Sequence, residues 1–279
     1  MDEKEIFDLK EAVEYLDIDK KAFTNYFKNS GEIKSFKQGG RWKFKKSDLD
    51  AWKELKDNRT LTLNLKEYEE CFEFAMKVVY GGSATFGNRR QRTEVQAVDN
   101  WILGIMVEKA LKKFLKDKFN FEIVLDEEVH PGEITPRDII GIKKNGRIEE
   151  PKKFVGVKGS KIKSAYLIAD EHGMPNRSAD IYIFGRVALP SDHLFRILRD
   201  HSFFKKVREF LEDNKKKGFR TIGEIKEVKV WICGYASSNE LDYVNKIPGQ
   251  DFDGKNKYVK TVGQMHNSDE DWKDLIKKL

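Results

Sequence analysis

The sequence predicts a mixed α+β / α/β chain in two parts. A small N-terminal domain over residues 1–58 combines short helices with a β-hairpin. A larger domain over residues 65–279 carries a central mixed β-sheet flanked by helices. Three observations lead there. The first sixty residues hold two short helical repeats, a Gly-Gly turn between alternating segments, and a third helical repeat. Residues 66–80 and 94–116 then repeat their apolar side chains at close to 3.6 residues, the period of a helix with one buried face. Beyond residue 120 come apolar runs of strand length, separated by turn residues and one further helical stretch at 191–214.

Composition sets the outer limits. The 279 residues are 36% charged, 39% hydrophobic and 12% aromatic, enough apolar material to build a core rather than a disordered chain. The formal net charge of +6 and pI near 9.0 favour an anionic partner, though a lysine-rich solvated surface gives the same number. Cys71 and Cys233 are isolated and lack metal-ligand spacing, which suits thiols in a reducing cytoplasm. The first ten residues are acidic and polar, unlike a signal peptide, and no apolar run approaches a membrane span. A cytoplasmic protein without a membrane partner is the expectation.

In the N-terminal part, Asp8 followed by Glu11 reads as a capping box opening a helix over 9–16. Asp17-Ile18 makes a tight turn, and Asp19 caps a second helix over 20–28. The exposed face of that helix carries Lys20, Lys21, Thr24, Asn25 and Lys28, side chains able to grip phosphates or read base edges in a major groove. Alternating segments at 33–37 and 41–44 flank Gln38-Gly39-Gly40, a hairpin turn, with Arg41 and Lys43 on its basic side. Ser47 is expected to cap a last helix over 48–55. These residues resemble the excisionase/MerR-type winged helix-turn-helix module. The likeness lies in Leu9-Lys10-Glu11-Ala12-Val13-Glu14-Tyr15-Leu16, Gly39-Gly40-Arg41-Trp42-Lys43-Phe44 and Ser47-Asp48-Leu49-Asp50-Ala51-Trp52. The resemblance implies contact with double-stranded DNA through the second helix, with the Gly39-Gly40 wing on the backbone or minor groove.

Residues 61–64 read as a short extended bridge. After the helix at 66–80, a loop holds Arg89, Arg90 and Arg92 among Gly and Asn, a pattern suited to phosphates or to guanine in a groove. The helix at 94–116 has a buried stripe of Val98, Trp101, Ile102, Ile105, Leu111, Phe114 and Leu115, and Glu108 lies beside it. Strand-like segments follow at 121–125, 139–142 and 154–158, with Asn145-Gly146 as a hairpin signal. Asp138 precedes one of them, Lys158 ends another, and Glu171 follows. A carboxylate, an apolar run ending in lysine and a second carboxylate is what metal-dependent phosphodiester cleavage needs: acids for Mg²⁺, an ammonium beside the attacking water and the scissile phosphate.

The order of helices and strands resembles the PD-(D/E)XK nuclease fold. Pro136-Arg137-Asp138 stands where that family has Pro-Asp, with one residue intervening, and Val157-Lys158 ends its acid-X-lysine element. Gly156 departs from the pattern by replacing the acid. A subset of restriction enzymes takes the second carboxylate from a helix about a dozen residues later; residues 162–169 would form that helix and Glu171 would supply the acid. The resemblance then implies Asp138 and Glu171 as Mg²⁺ ligands, Lys158 as the group serving the water or the pentavalent phosphorane, and Glu108 as holder of a metal-bound water or second ion. Asp180 is an outside candidate at a loop-to-strand junction. His130, His172, His193, His201 and His266 show no zinc spacing, and no Walker A or GxGxxG motif is present.

The expectation is a type II restriction endonuclease cutting double-stranded DNA with Mg²⁺, as a homodimer because two strands need two sites. A rival from another class is a transcription or recombination regulator whose large domain senses a ligand or partner. A third reading is a modification-dependent endonuclease.

Overall fold

A computed structural model describes residues 5–81, 93–129, 137–169, 178–252 and 254–279. Ile6–Asp8 is a short strand, β1, running straight into helix α1, Leu9–Leu16. The expected capping box is present. Asp8 accepts from the Glu11 N–H at 3.0 Å, and Glu11 accepts from the Asp8 N–H at 2.8 Å. Asp19 caps α2, Lys20–Thr24, whose end widens into a π-helical turn over Asn25–Asn29 closed by Ser30 N–H on Asn25 O at 2.9 Å. The hairpin pairs β2, Phe36–Gln38, with β3, Arg41–Lys45, across Gly39 and Gly40, both at positive φ. β1 adds to β3, making a three-stranded sheet of order β1-β3-β2.

Helix α3 spans Lys46–Asp57, so Ser47 lies inside it and does not cap it. Lys45 is the capping position without a side-chain acceptor, and the Lys46 N–H donates instead to Glu5 O at 2.7 Å. The incoming chain before β1 thus satisfies one of the first-turn donors of α3 that have no partner within the helix.

The expected extended bridge is a true strand, β4, Thr60–Asn64, paired along β11. Helices α4, Leu65–Tyr80, and α5, Glu94–Phe119, both open with capping boxes, Asn64 with Glu67 and Thr93 with Gln96. Then come β5, Glu122–Leu125, β6, Ile139–Lys144, and β7, Arg147–Glu149, an antiparallel three-stranded sheet turning at Asn145-Gly146. Strand β8 is Val155–Lys161, β9 is Tyr166–Ala169 and β10 is Ile181–Val187. Helices α6, His193–Ile197, and α7, Ser202–Asp213, replace the single helical stretch foreseen at 191–214. Strand β11 is Glu227–Ser237. The C-terminal stretch contains β12, Asp242–Val244, the small pair β13, Lys246–Ile247, and β14, Gln250–Asp251, and β15, Lys257–Thr261, before helix α8, Asp269–Lys278.

The helix expected over 162–169 is not formed. Its second half is β9, which pairs antiparallel with β15. Burial alternates from Ala165 to Ala169, buried at odd positions and half-buried at even ones, which is the period of a strand. The run is too short for sequence periodicity to separate the two.

The main sheet has the order β4-β11-β10-β8, with β8 and β10 parallel and the other pairs antiparallel. It is therefore mixed. On one face, α4, α5 and α8 contribute Cys71, Ile102, Leu111, Phe114 and Trp272 to one core with Val155, Ile183 and Val230. On the other, Phe23, Tyr26 and Trp52 of the N-terminal unit join Tyr182, Phe184, Trp231 and Cys233 of the sheet. Gly159 lets α5 run close across β8: a Cβ there would sit 2.2 Å from Leu103 O. That close crossing sets the height of α5, and of Glu108, over the strand.

Candidate functional site

Three elements converge on one edge of the main sheet. α5 carries Glu108, Asp138 immediately precedes β6, and the middle of β8 carries Lys158. All three are half-buried. β6 belongs to the smaller sheet, yet Asp138 reaches the larger one: its Oδ2 accepts from the Val157 N–H at 2.5 Å. A side chain thereby occupies a donor on the strand edge away from β10. Backbone continues the connection, since Asp126 N–H donates to Asp138 O at 3.3 Å.

The electrostatics of Glu108 report how closely these groups gather. Burial, then the charge of Asp138, pushes its carboxyl well above the usual carboxylate range, with Lys158 pulling the other way. Asp126 and Glu127 add to the upward push. Negative groups outnumber the one lysine in this set, so the site favours a cation or a proton. Sequence reading passed over Asp126; the acidic run Asp126-Glu127-Glu128 directly after a strand was the available signal.

Gly156 has a physical reason. A Cβ there would meet the Tyr182 ring at 3.2 Å and the Ala179 Cβ at 3.3 Å, within the apolar layer under the N-terminal unit. A carboxylate at this position would be pressed into aromatic packing. Asp180 fastens the start of β8: its Oδ2 accepts from the Phe154 N–H at 2.9 Å while its own N–H donates to Phe154 O at 2.8 Å. Glu171, Arg89, Arg90 and Arg92 lie outside the described residues. Among the described residues, no group of three or more His, Cys, Asp or Glu side chains is arranged to hold a metal ion. Glu108 and Asp138 offer hard carboxylate oxygens of the type Mg²⁺ takes, one of them desolvated and rich in neighbouring negative charge, so the donor chemistry fits that ion.

Further along β8, Lys161 pairs with Asp99 at 2.8 Å; Asp99 bonds His193 Nε2 at 2.9 Å, and His193 Nδ1 meets the Tyr68 hydroxyl at 2.7 Å. This chain ties α4, α5, α6 and β8 together behind the acidic cluster, and no sequence motif announces it.

In the N-terminal unit, Lys20, Lys21, Lys28 and Arg41 are exposed, and Thr24, Asn25 and Lys43 are half-buried. The Thr24 hydroxyl donates to Lys20 O at 2.8 Å. Asn25 donates to Lys163 O at 2.8 Å, Tyr26 donates to Ile162 O at 2.6 Å, and Lys163 pairs with Asp19 at 2.9 Å. The second helix is thus docked by one side on the β8–β9 turn, and its lysines are what face outward. Between α1 and the hairpin runs a groove of about 510 Å³, lined by Leu9, Lys10, Val13, Lys20, Arg41 and Trp42. Residues 6–55 match the family model of a helix-turn-helix domain. No curated protein and no solved structure matches the chain. The helix-turn-helix domain accounts for the basic face; the match does not extend to the acidic cluster. Among the described residues, no helix is long and apolar enough to cross a membrane.

The attachment of this helix-turn-helix domain centres on Arg186, fully buried in β10. It donates two hydrogen bonds to Glu32 at 2.8 and 2.7 Å, and its guanidinium lies 4.7 Å from the Tyr26 ring and 4.8 Å from the Trp231 ring.

Proposed function

We propose that the chain is a Mg²⁺-dependent endonuclease of the type II restriction class, hydrolysing phosphodiester bonds in double-stranded DNA at a specific sequence. The observation that carries this is the gathering of Glu108, Asp138 and Lys158 from three separate elements in a chain with a helix-turn-helix domain. Glu108 and Asp138 would hold the Mg²⁺ ion, with Glu171 as the further acid in place of position 156. When bound, the ion supplies Lewis-acid stabilisation of charge on the phosphate.

The protein groups have separate tasks. Asp138 is oriented by the Val157 N–H, which fixes one of its oxygens against β8. Glu108 holds a proton to unusually high pH, so binding of a cation there releases it. Lys158 brings an ammonium to the same place, where it orients the attacking water or stabilises the oxygens of the pentavalent phosphorane. The lysines of α2 and Arg41 give the electrostatic contact with the DNA backbone. Cutting both strands calls for two such sites, and so for a homodimer.

A DNA-binding regulator is the second reading, favoured by the helix-turn-helix match itself, which carries no chemistry. The deciding experiment incubates purified protein with modified and unmodified plasmid and genomic DNA in Mg²⁺ or Mn²⁺, with the ends sequenced. Defined ends that vanish in Lys158→Ala while binding persists support the nuclease. Cutting confined to modified DNA narrows it to a modification-dependent enzyme. Binding without cutting on every substrate establishes the regulator.

A further inference from the structure

The segment between β10 and β11 carries an apolar surface that the rest of the described chain leaves uncovered. The four exposed phenylalanines among the described residues all lie here: Phe195 at 58% exposure, Phe203 at 77%, Phe210 at 55% and Phe219 at 45%. Ring contacts make them nearly continuous, Phe195 and Phe203 each meeting Phe204, and Phe210 meeting Phe219. α7 has no buried residue at all. Its side toward the protein is the half-buried set Phe204, Arg208 and Leu211. Phe203, Val207 and Phe210, spaced at i, i+4 and i+7, form a second stripe that points outward. Contiguous exposed apolar surface of this kind marks an interaction site.

The charges on α7 identify the occupant. Lys205, Lys206 and Arg208 fill its first half; Glu209, Glu212 and Asp213 fill its second. This order opposes the helix's own field, which favours acids at the N-terminus and cations at the C-terminus. The first turn holds no acid and the last no base. Arg208 finds partners in its own chain, Asp200 and Glu212. Lys205, Lys206, Glu209 and Asp213 form no ion pair among the described residues.

A second α7 laid antiparallel reverses the mismatch. Each lysine end then faces the acidic end of the other copy, and the two helix dipoles oppose each other favourably. The apolar stripe meets itself, as an interface with two-fold symmetry requires. An interfacial lipid-binding helix instead carries Lys and Arg along its polar face, and the acidic half of α7 fits that poorly.

We propose that α7 is a self-association face, on which two copies of the chain pair antiparallel through Phe203, Val207 and Phe210 to form a homodimer. The pairing is read from α7 alone, and it deepens the endonuclease reading by giving that reading's two sites a common body.

Sedimentation velocity on the full chain, over a range of concentrations and without DNA or metal, tests it. The native protein is expected to be dimeric, and Phe203→Glu with Phe210→Glu to weaken the dimer roughly a hundredfold, as loss of central aromatic anchors does. Lys206→Glu, beside the stripe, should also weaken it, and adding Asp213→Lys on the same flank should restore it. Circular dichroism checks that each variant is folded, and the restored charge-swapped variant guards against a folding artefact. A native monomer at every concentration overturns the proposal. So does a dimer indifferent to the phenylalanines, or a charge reversal without restoration. Flotation of the native protein with phosphatidylcholine/phosphatidylglycerol vesicles would assign the stripe to lipid and overturn it as well. With neither DNA nor metal present, this result and that of the cleavage assay stand or fall separately.

Discussion

Two sets of charge, one buried on the face of the main sheet under the N-terminal unit and one gathered at the β8 edge, are built on opposite plans. Arg186 and Glu32 are balanced. One guanidinium meets one carboxylate through two hydrogen bonds, flanked by Tyr26 and Trp231, and Glu32 also accepts from the Ser30 hydroxyl. Glu108, Asp138 and Lys158 are unbalanced, with Asp126 and Glu127 deepening the excess of negative charge. The first set holds the helix-turn-helix domain in place. The second is held in place by the fold and favours something positive from outside. Burial is common to both, so burial does not separate fastening from function; charge balance does.

That contrast can be broken experimentally, and the largest effect belongs to the balanced pair. Arg186→Met leaves the Glu32 carboxylate buried without its partner and should cost about 3–5 kcal/mol in urea unfolding. Arg186→Met with Glu32→Gln should recover much of that. A single-variant loss under about 1 kcal/mol would mean that the pair does not fasten the two parts. At the β8 edge, Lys158→Ala is expected to lower cleavage by about 10²–10³ while DNA affinity in a gel-shift titration is kept.

Glu108→Gln should act in the reverse sense on stability. Above the raised folded value of Glu108 it removes a desolvated negative charge beside Asp138, so there the melting temperature should rise by about 2–4 °C per kcal/mol gained, while calorimetric Mg²⁺ affinity falls. The pH dependence has a definite sign. The folded-state pKa of Glu108 lies above its unfolded value, so its favourable contribution is complete below the ordinary carboxylate range. That contribution is lost as pH rises through the raised folded value. Stability of the native chain should therefore fall relative to Glu108→Gln across that window, and Mg²⁺ affinity should rise over the same interval. Parallel curves for the two proteins would remove Glu108 from the cluster. The smallest effect is on the exposed basic face: Lys20→Ala, Lys21→Ala and Arg41→Ala should each lower the slope of log affinity against log salt by roughly one phosphate. An unchanged slope would assign that face to a protein partner.

What was legible in the sequence was local. The Asp8–Glu11 capping box, the turns at Gly39-Gly40 and Asn145-Gly146 and the buried stripe of α5 each depend on neighbours within a few residues. Spacing singles out Asp138 and Lys158, but no spacing could tell that Asp138 bridges two sheets through the Val157 N–H. The failures are tertiary. Residues 166–169 become β9 because β15, some ninety residues away, offers a ladder. Ser47 lies inside α3, which starts one residue earlier with the Lys46 N–H held by Glu5 O. Arg186 and Glu32 are 154 residues apart, and the one hint was an arginine inside an apolar strand run.

Only two residues, Asn58 and Arg59, separate the end of α3 from the start of β4, and β4 is hydrogen-bonded into the main sheet. A DNA-reading domain on a slack tether samples many directions and becomes oriented only when it binds. Here the join has no slack, and the second helix rests on the β8–β9 turn. Its orientational freedom is surrendered during folding, so a duplex seated on the basic face meets an already aimed surface. On the endonuclease reading the join would work as a ruler: the interval between the base pairs gripped and the part of the duplex over β8 would be set by the fold and not by the DNA.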